Sequence, residues 1–249
     1  MTDSIPSPIL ANVRIMRALI AKDWRLFRLP IIGLLVAGVG CLLYTGAFFY
    51  FYNFGPNRRE HWDNSAILVS VIQNAAHSAG FLTALLASTF GGVAIAGERA
   101  ERTADFTALL PVTRRQVIMS KFVSAGSVLM VFTLFYALIF IFTFNFSEHL
   151  FIRNYPVAIW EWQIGCVISF FGVAWLVSAF TTSAAISACV SIATTMGALA
   201  WMSVYMETDR ANRYVDVGHR DGNLAMVAFT VGLPCLVAGT IYYLRRTAP

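Results

Sequence analysis

Gly97-Glu98-Arg99-Ala100-Glu101-Arg102-Thr103-Ala104-Asp105-Phe106-Thr107-Ala108-Leu109-Leu110-Pro111-Val112-Thr113-Arg114-Arg115 is a charged, proline-punctuated segment wedged between two strongly apolar runs. The run before it, Ala66–Ala96, and the run after it, Phe122–Phe146, each exceed the roughly 20 residues that a helix needs to cross a ~30 Å hydrocarbon core. Both are continuously apolar, whereas barrel strands alternate apolar and polar residues over about ten positions. Four further runs have the same character: Ile31–Tyr52, Val157–Phe180, Ser183–Tyr205 and Leu224–Leu244. The sequence therefore predicts an all-α integral membrane protein of six transmembrane helices, in a single domain over residues 1–249. The second run is longer than a perpendicular crossing requires, so it is expected to tilt or to rest its first turns in the outer interface.

Composition points the same way. Charged residues make up 12% of the 249 and hydrophobic residues 58%, with a mean hydropathy of +0.67; a soluble domain carries about 25% charged residues. With the N-terminus inside, twelve of the 18 Lys and Arg residues fall on one side and six on the other. The positive-inside rule then places both termini in the cytoplasm. It also accounts for the net charge of +5 without a nucleic-acid partner. The four cysteines fall inside predicted spans, and His61, His149 and His219 on separate outer loops, none with metal-ligand spacing. No metal site and no catalytic residue is expected.

Residues 1–30 read as a short polar tail followed by an amphipathic helix over Ile9–Leu29. Its apolar residues recur at helical spacing among Arg14, Arg17, Lys22, Asp23, Arg25 and Arg28. Such a helix lies in the membrane plane, with Trp24 and Phe27 at headgroup level, and Pro30 is expected to mark the turn into the first span. Within the spans, Ser183, Ser187, Ser191 and Thr195 form one row of small residues, and Gly33, Ala37 and Cys41 another. Small residues at every fourth position let helix backbones approach closely in lipid, and packing within the chain is their expected use.

The insert itself reads as two helices around a proline elbow. Glu98 with Arg102 and Arg102 with Asp105 are i, i+4 and i, i+3 pairs that support an exposed helix. Phe106, Leu109 and Leu110 add an apolar patch before Pro111 ends that helix. Thr113 followed by Gln116 fits a capping box, in which hydroxyl and amide satisfy each other's free backbone N–H groups. The second helix then carries Arg114, Arg115 and Lys121 back to the membrane, so the segment spans residues 97–121. An apolar patch held out in solvent marks a binding surface.

These residues resemble the cytoplasmic loop of ABC-2-type transporter permeases, whose usual pattern is E-R-x-x-G-T-L-E-x-L-L-x-L-P-V-S-R with a later Lys. The chain meets it at Glu98-Arg99, Thr103, Asp105, Leu110-Pro111-Val112-Thr113-Arg114 and Lys121. It departs at Arg102, where Gly is usual, and at Ala104 and Thr107, where Leu-like residues are usual. Ala21-Lys22-Asp23-Trp24-Arg25-Leu26-Phe27-Arg28 resembles the Lys-Asp "elbow" that opens many of the same permeases. The resemblance implies the permease subunit of an ABC exporter in a bacterial inner membrane. Glu98, Arg102, Phe106, Leu109, Leu110, Pro111, Thr113 and Arg114 would seat a separate P-loop ATP-binding subunit. ATP and Mg belong to that partner, because this chain has no Gly-x-x-x-x-Gly-Lys-Ser/Thr phosphate loop. A second permease copy, identical or paired, is implied as well, and an amphipathic or hydrophobic cargo such as a peptide, drug or lipid-like molecule.

Gln73, Asn74 and His77, in the outer part of the second run, are the candidate translocation path; hydrogen bonding between helices is the competing use of the same residues. No Lys, Arg, Asp or Glu sits deep in a predicted span, which disfavours an ion-coupled carrier. Two alternatives to transport stand beside it: a membrane scaffold or sensor that keeps the fold, and an intramembrane lipid-modifying enzyme. The enzyme needs clustered nucleophile, base or metal ligands, and the spans offer only His77 as a candidate.

Overall fold

The computed structural model describes residues 8–54, 64–100, 112–146, 155–210 and 217–245. The regular structure among them is helical throughout. In chain order the helices are α1 (Pro8–Leu26), α2 (Arg28–Phe54), α3 (Asn64–Gly92), α4 (Arg114–Phe146), α5 (Tyr155–Phe180), α6 (Ala184–Arg210) and α7 (Val217–Arg245). A π-helical turn, Val93–Gly97, and a last α-turn, Glu98–Ala100, prolong α3. Among the described residues five stretches are long and apolar enough to cross a membrane: Arg28–Phe48, Leu68–Ala100, Arg114–Thr143, Gln163–Phe180 and Ala184–Trp201. In α7 a shorter apolar stretch, Phe229–Arg245, follows the same pattern.

Helices that are all apolar enough to cross a membrane take unequal places, and the more buried ones are not the more apolar. α3 and α5 each bury 67% of their apolar window inside the protein, against 17% for α2 and 22% for α6. α3 touches α2, α4, α5 and α6, and α5 packs along α7. Missing side chains make this possible. A Cβ on Gly172 would collide with the carbonyl oxygen of Gly232, and one on Gly232 would stand 2.6 Å from Ser169 Cα. Gly91 and Gly92 approach the carbonyl oxygens of Phe171 and Ala184 with the same closeness, 2.6 and 2.7 Å from an added Cβ. Lipid tails are as apolar as leucine, so close van der Waals packing, rather than exclusion of water, holds such helices together.

Both small-residue rows pack within the chain. Ser187, Ser191 and Thr195 are fully buried, and Ser191 Oγ donates to the Phe170 carbonyl at 2.6 Å. Gly33 faces Leu86, and Cys41 packs with Ala79 and Tyr136. Other large side chains of α2 and α4 point outward, among them Val36, Leu43, Phe51, Met130, Val131 and Leu138.

Two local expectations change. The break between α1 and α2 comes at Phe27 and not at Pro30, which occupies the first turn of α2. A proline there removes an N–H that has no helical partner anyway. Phe27 is not a headgroup residue: it is 1% exposed and its ring lies 5.2 Å from that of Phe90. Trp24, by contrast, stays 47% exposed. The long second run ends in a π turn, whose Ala94, Ile95 and Ala96 are buried together with Glu98 beyond it.

Candidate functional site

The two ends of the insert and the end of α1 meet in one buried cluster of charge. α1 contributes Lys22 and Asp23, the turn after the π segment contributes Glu98, and α4 contributes Ser120 and Lys121. Lys121 Nζ lies 3.0 Å from Glu98 Oε1 and 3.6 Å from Asp23 Oδ1. Lys22 Nζ reaches the same Glu98 oxygen at 2.5 Å, and Ser120 Oγ donates to Asp23 Oδ2 at 2.7 Å. Asp23, Glu98, Ser120 and Lys121 are all at most 4% exposed, while Lys22 comes in from the surface. Two cations thus face two carboxylates, and the pairing offsets the desolvation that an isolated buried charge would suffer. Burial pushes the Asp23 carboxyl above its ordinary range, with Lys121 and the Ser120 hydroxyl drawing it back only in part. Tyr243 of α7 lies within electrostatic reach of Glu98 and Asp23.

Helix-end chemistry tightens the same region. Arg99 donates from Nη1 to the carbonyls of Ala179 at 2.9 Å and Thr181 at 3.4 Å, where the end of α5 leaves carbonyls without helical partners. At the start of α4, Gln116 Oε1 accepts from the Thr113 N–H at 2.8 Å, and Thr113 Oγ1 accepts from the Gln116 N–H at 3.3 Å. That is the reciprocal capping box expected from the spacing. Phe27 anchors the α1 end in the main core beside Phe90.

A family model described as ABC-2 family transporter protein matches residues 22–210. The chain belongs to the ABC-2 transporter family. It is accordingly a multi-pass membrane protein and a permease of an ABC transporter. No curated protein and no solved structure matches it.

The sequence motifs of this ABC-2 protein are thereby joined in space: elbow pair Lys22-Asp23, insert opening Glu98-Arg99, and the later Lys121. Glu98 is itself buried, and its carboxylate turns inward to Lys22 and Lys121; the pairing expected with Arg102 falls outside the described residues. Thr113 and Arg114 are at the exposed start of α4. Arg102, Phe106, Leu109, Leu110 and Pro111 lie outside the described residues. The cluster partners Asp23 and Ser120 are not among the residues that the insert's motif marks, yet the sequence carries one signal of Asp23. Asp23 stands between Leu19 and Phe27 at i−4 and i+4, on the face that a helix buries.

The outer polar residues separate. Gln73 is buried, whereas Asn74 is exposed and its Nδ2 bonds back to the Ser70 carbonyl at 2.8 Å. The His77 ring lies 6.4 Å from that of Phe140. Buried Gln163 of α5, not foreseen from sequence, donates from Nε2 to the His77 carbonyl at 3.5 Å, its amide lying where a side chain on Gly80 would be. Among the described residues no three His, Cys, Asp or Glu side chains form a group able to hold a metal ion.

Proposed function

We propose that this ABC-2 permease is the membrane subunit of an ATP-driven exporter in a bacterial inner membrane. It crosses six times, with both termini cytoplasmic, and its insert seats a separate P-loop ATPase that holds ATP and Mg. The supporting observation is the buried cluster: Glu98 from one limb of the insert and Lys121 from the other share a salt bridge at 3.0 Å, and α1 is tied to both. A push on the insert therefore moves elbow, α3 end and α4 start together. Phe106, Leu109 and Leu110 form the contact with the ATPase, flanked by Arg102, Pro111, Thr113 and Arg114.

A second permease copy completes the transporter. Gln73 and His77, with the exposed Asn74 beside them, border the cargo path. The juxtaposition of His77 with Phe140 favours an amphipathic or hydrophobic cargo, because such a wall offers polar and aromatic contacts together.

The test is co-purification of the chain with a P-loop ATPase from its own cell, repeated with Phe106, Leu109 and Leu110 each changed to Asp. Association in the wild type and its loss in the variants is the expected result. Absence of any ATPase, or association that survives all three changes, overturns the coupling reading.

A further inference from the structure

The face of α1 opposite the ion cluster carries a charge pattern that neither the fold nor the cluster uses. At 100° per residue, Arg14, Arg17 and Arg25 fall within an arc of about 80°. Arg28 continues that stripe across the Phe27 break, where backbone bonds Phe27 N–H to Asp23 O and Ile31 N–H to Phe27 O, both 3.0 Å, preserve the helical register. All four arginines are exposed, and none has an acidic partner among the described residues. Leu19, Asp23 and Phe27, on the opposite side, are buried. Beside the stripe lie Val13 and Trp24, 59% and 47% exposed. The helix thus has three faces: one bound to the bundle, one narrow and apolar, and one of unpartnered guanidinium groups.

We propose that this arginine stripe is a binding surface for the headgroups of anionic phospholipids. A guanidinium matches phosphate with a planar pair of donors, and a basic helix at the membrane surface gains affinity with each cation that meets an anionic headgroup. Trp24 and Val13 supply the contact with acyl chains, as aromatic residues do at the interface. The opposite side of the same helix holds Glu98 and Lys121 through Lys22 and Asp23. Lipid on the stripe therefore steadies the element to which the insert is tied. The inference rests on α1 lying at the membrane surface, and it needs no ATPase.

The full chain is reconstituted in vesicles of phosphatidylglycerol and phosphatidylethanolamine, extracted gently, and its retained lipid is quantified by mass spectrometry. Wild type is expected to retain phosphatidylglycerol preferentially. Arg14→Gln, Arg17→Gln, Arg25→Gln and Arg28→Gln together should lower that preference about tenfold or more, since each surface cation contributes about fivefold. The four Arg→Lys changes should keep most of it, and Arg115→Gln with Arg245→Gln, both exposed positions elsewhere, should leave it unaltered. If the quadruple variant does not extract intact, the pairs Arg14→Gln/Arg17→Gln and Arg25→Gln/Arg28→Gln are read instead, each giving a partial loss. No preference in wild type, equal loss in the Arg115/Arg245 control, or displacement of the lipid by inorganic phosphate overturns the proposal. Because the readout is lipid alone, its failure leaves the ATPase test untouched, and the reverse.

Discussion

The middle of the bundle and its insert end are closed by opposite means. Where α5 meets α7, contact depends on the absence of side chains: Gly172 and Gly232 let backbone lie against backbone. At the insert end, contact depends on fully charged side chains, with Lys121 sunk between Asp23 and Glu98. Glycine contacts are non-directional and tolerate sliding. An ion cluster has defined partners and resists their separation. This protein is therefore joined for shape along its length and for register at the end where its insert is rooted.

The largest loss is expected at Lys121. Lys121→Met leaves Asp23 and Glu98 buried with only Lys22 to balance them, and should cost about 3–5 kcal/mol in detergent unfolding. Replacing Asp23, Glu98 and Lys121 together by apolar residues should restore most of that stability, because a buried ion group and a well-packed apolar one are often equivalent. If the single change is harmless, the cluster does not hold the insert end.

Next in size is a collision in the middle. Gly172→Ala or Gly232→Ala forces α5 and α7 apart and should destabilise by about 1–3 kcal/mol. Gly126→Ala, with nothing within 4 Å of the new Cβ, should be close to neutral in the same unfolding measurement. Equal effects at the three positions would show that close approach is not what binds α5 to α7.

Smaller still is the capping box. Thr113→Ala removes the acceptor for the Gln116 N–H and should cost about 1 kcal/mol, seen as faster hydrogen exchange confined to the first turn of α4. Thr113→Ser should retain protection; exchange unchanged in Thr113→Ala would discard the cap.

The smallest expected effect is one of pH. Because burial raises the Asp23 pKa above its ordinary 3.8, the folded chain holds that proton more tightly than the unfolded chain does. This contribution to stability is complete below 3.8 and is lost as pH rises through the raised value. The thermal midpoint of wild type should therefore rise relative to that of Asp23→Asn on acidification toward 3.8. A difference that stays flat across that window removes the burial account of Asp23.

Much of this architecture was legible in the chain. Continuous apolar runs announced the crossing helices, since helix length against bilayer thickness is a local property. The Thr113–Gln116 cap was readable because its partners are three residues apart, and the Ser187–Ser191–Thr195 row because helical periodicity puts it on one face. The candidate site was less so. Lys22, Asp23, Glu98 and Lys121 each stand in a motif, but the pattern along one helix offers Glu98 only neighbours three or four residues away. Two of its partners lie 76 residues before it and, at Lys121, on the far limb of the insert. The inward turn of Phe27 and the π segment at Val93–Gly97 escaped for a related reason: both depend on what packs against them.

The membrane class, the helix-forming segments, the family motifs and the cap at Thr113 are written in the chain, all set by the properties of neighbours within one or two turns. Which of several apolar helices is central, which glycines touch backbone and which charges are buried together emerge only once the chain is folded. Those outcomes are set by close packing and by the need of each buried charge for a partner. Such a partner is chosen by proximity in space, and distance along the chain does not encode it.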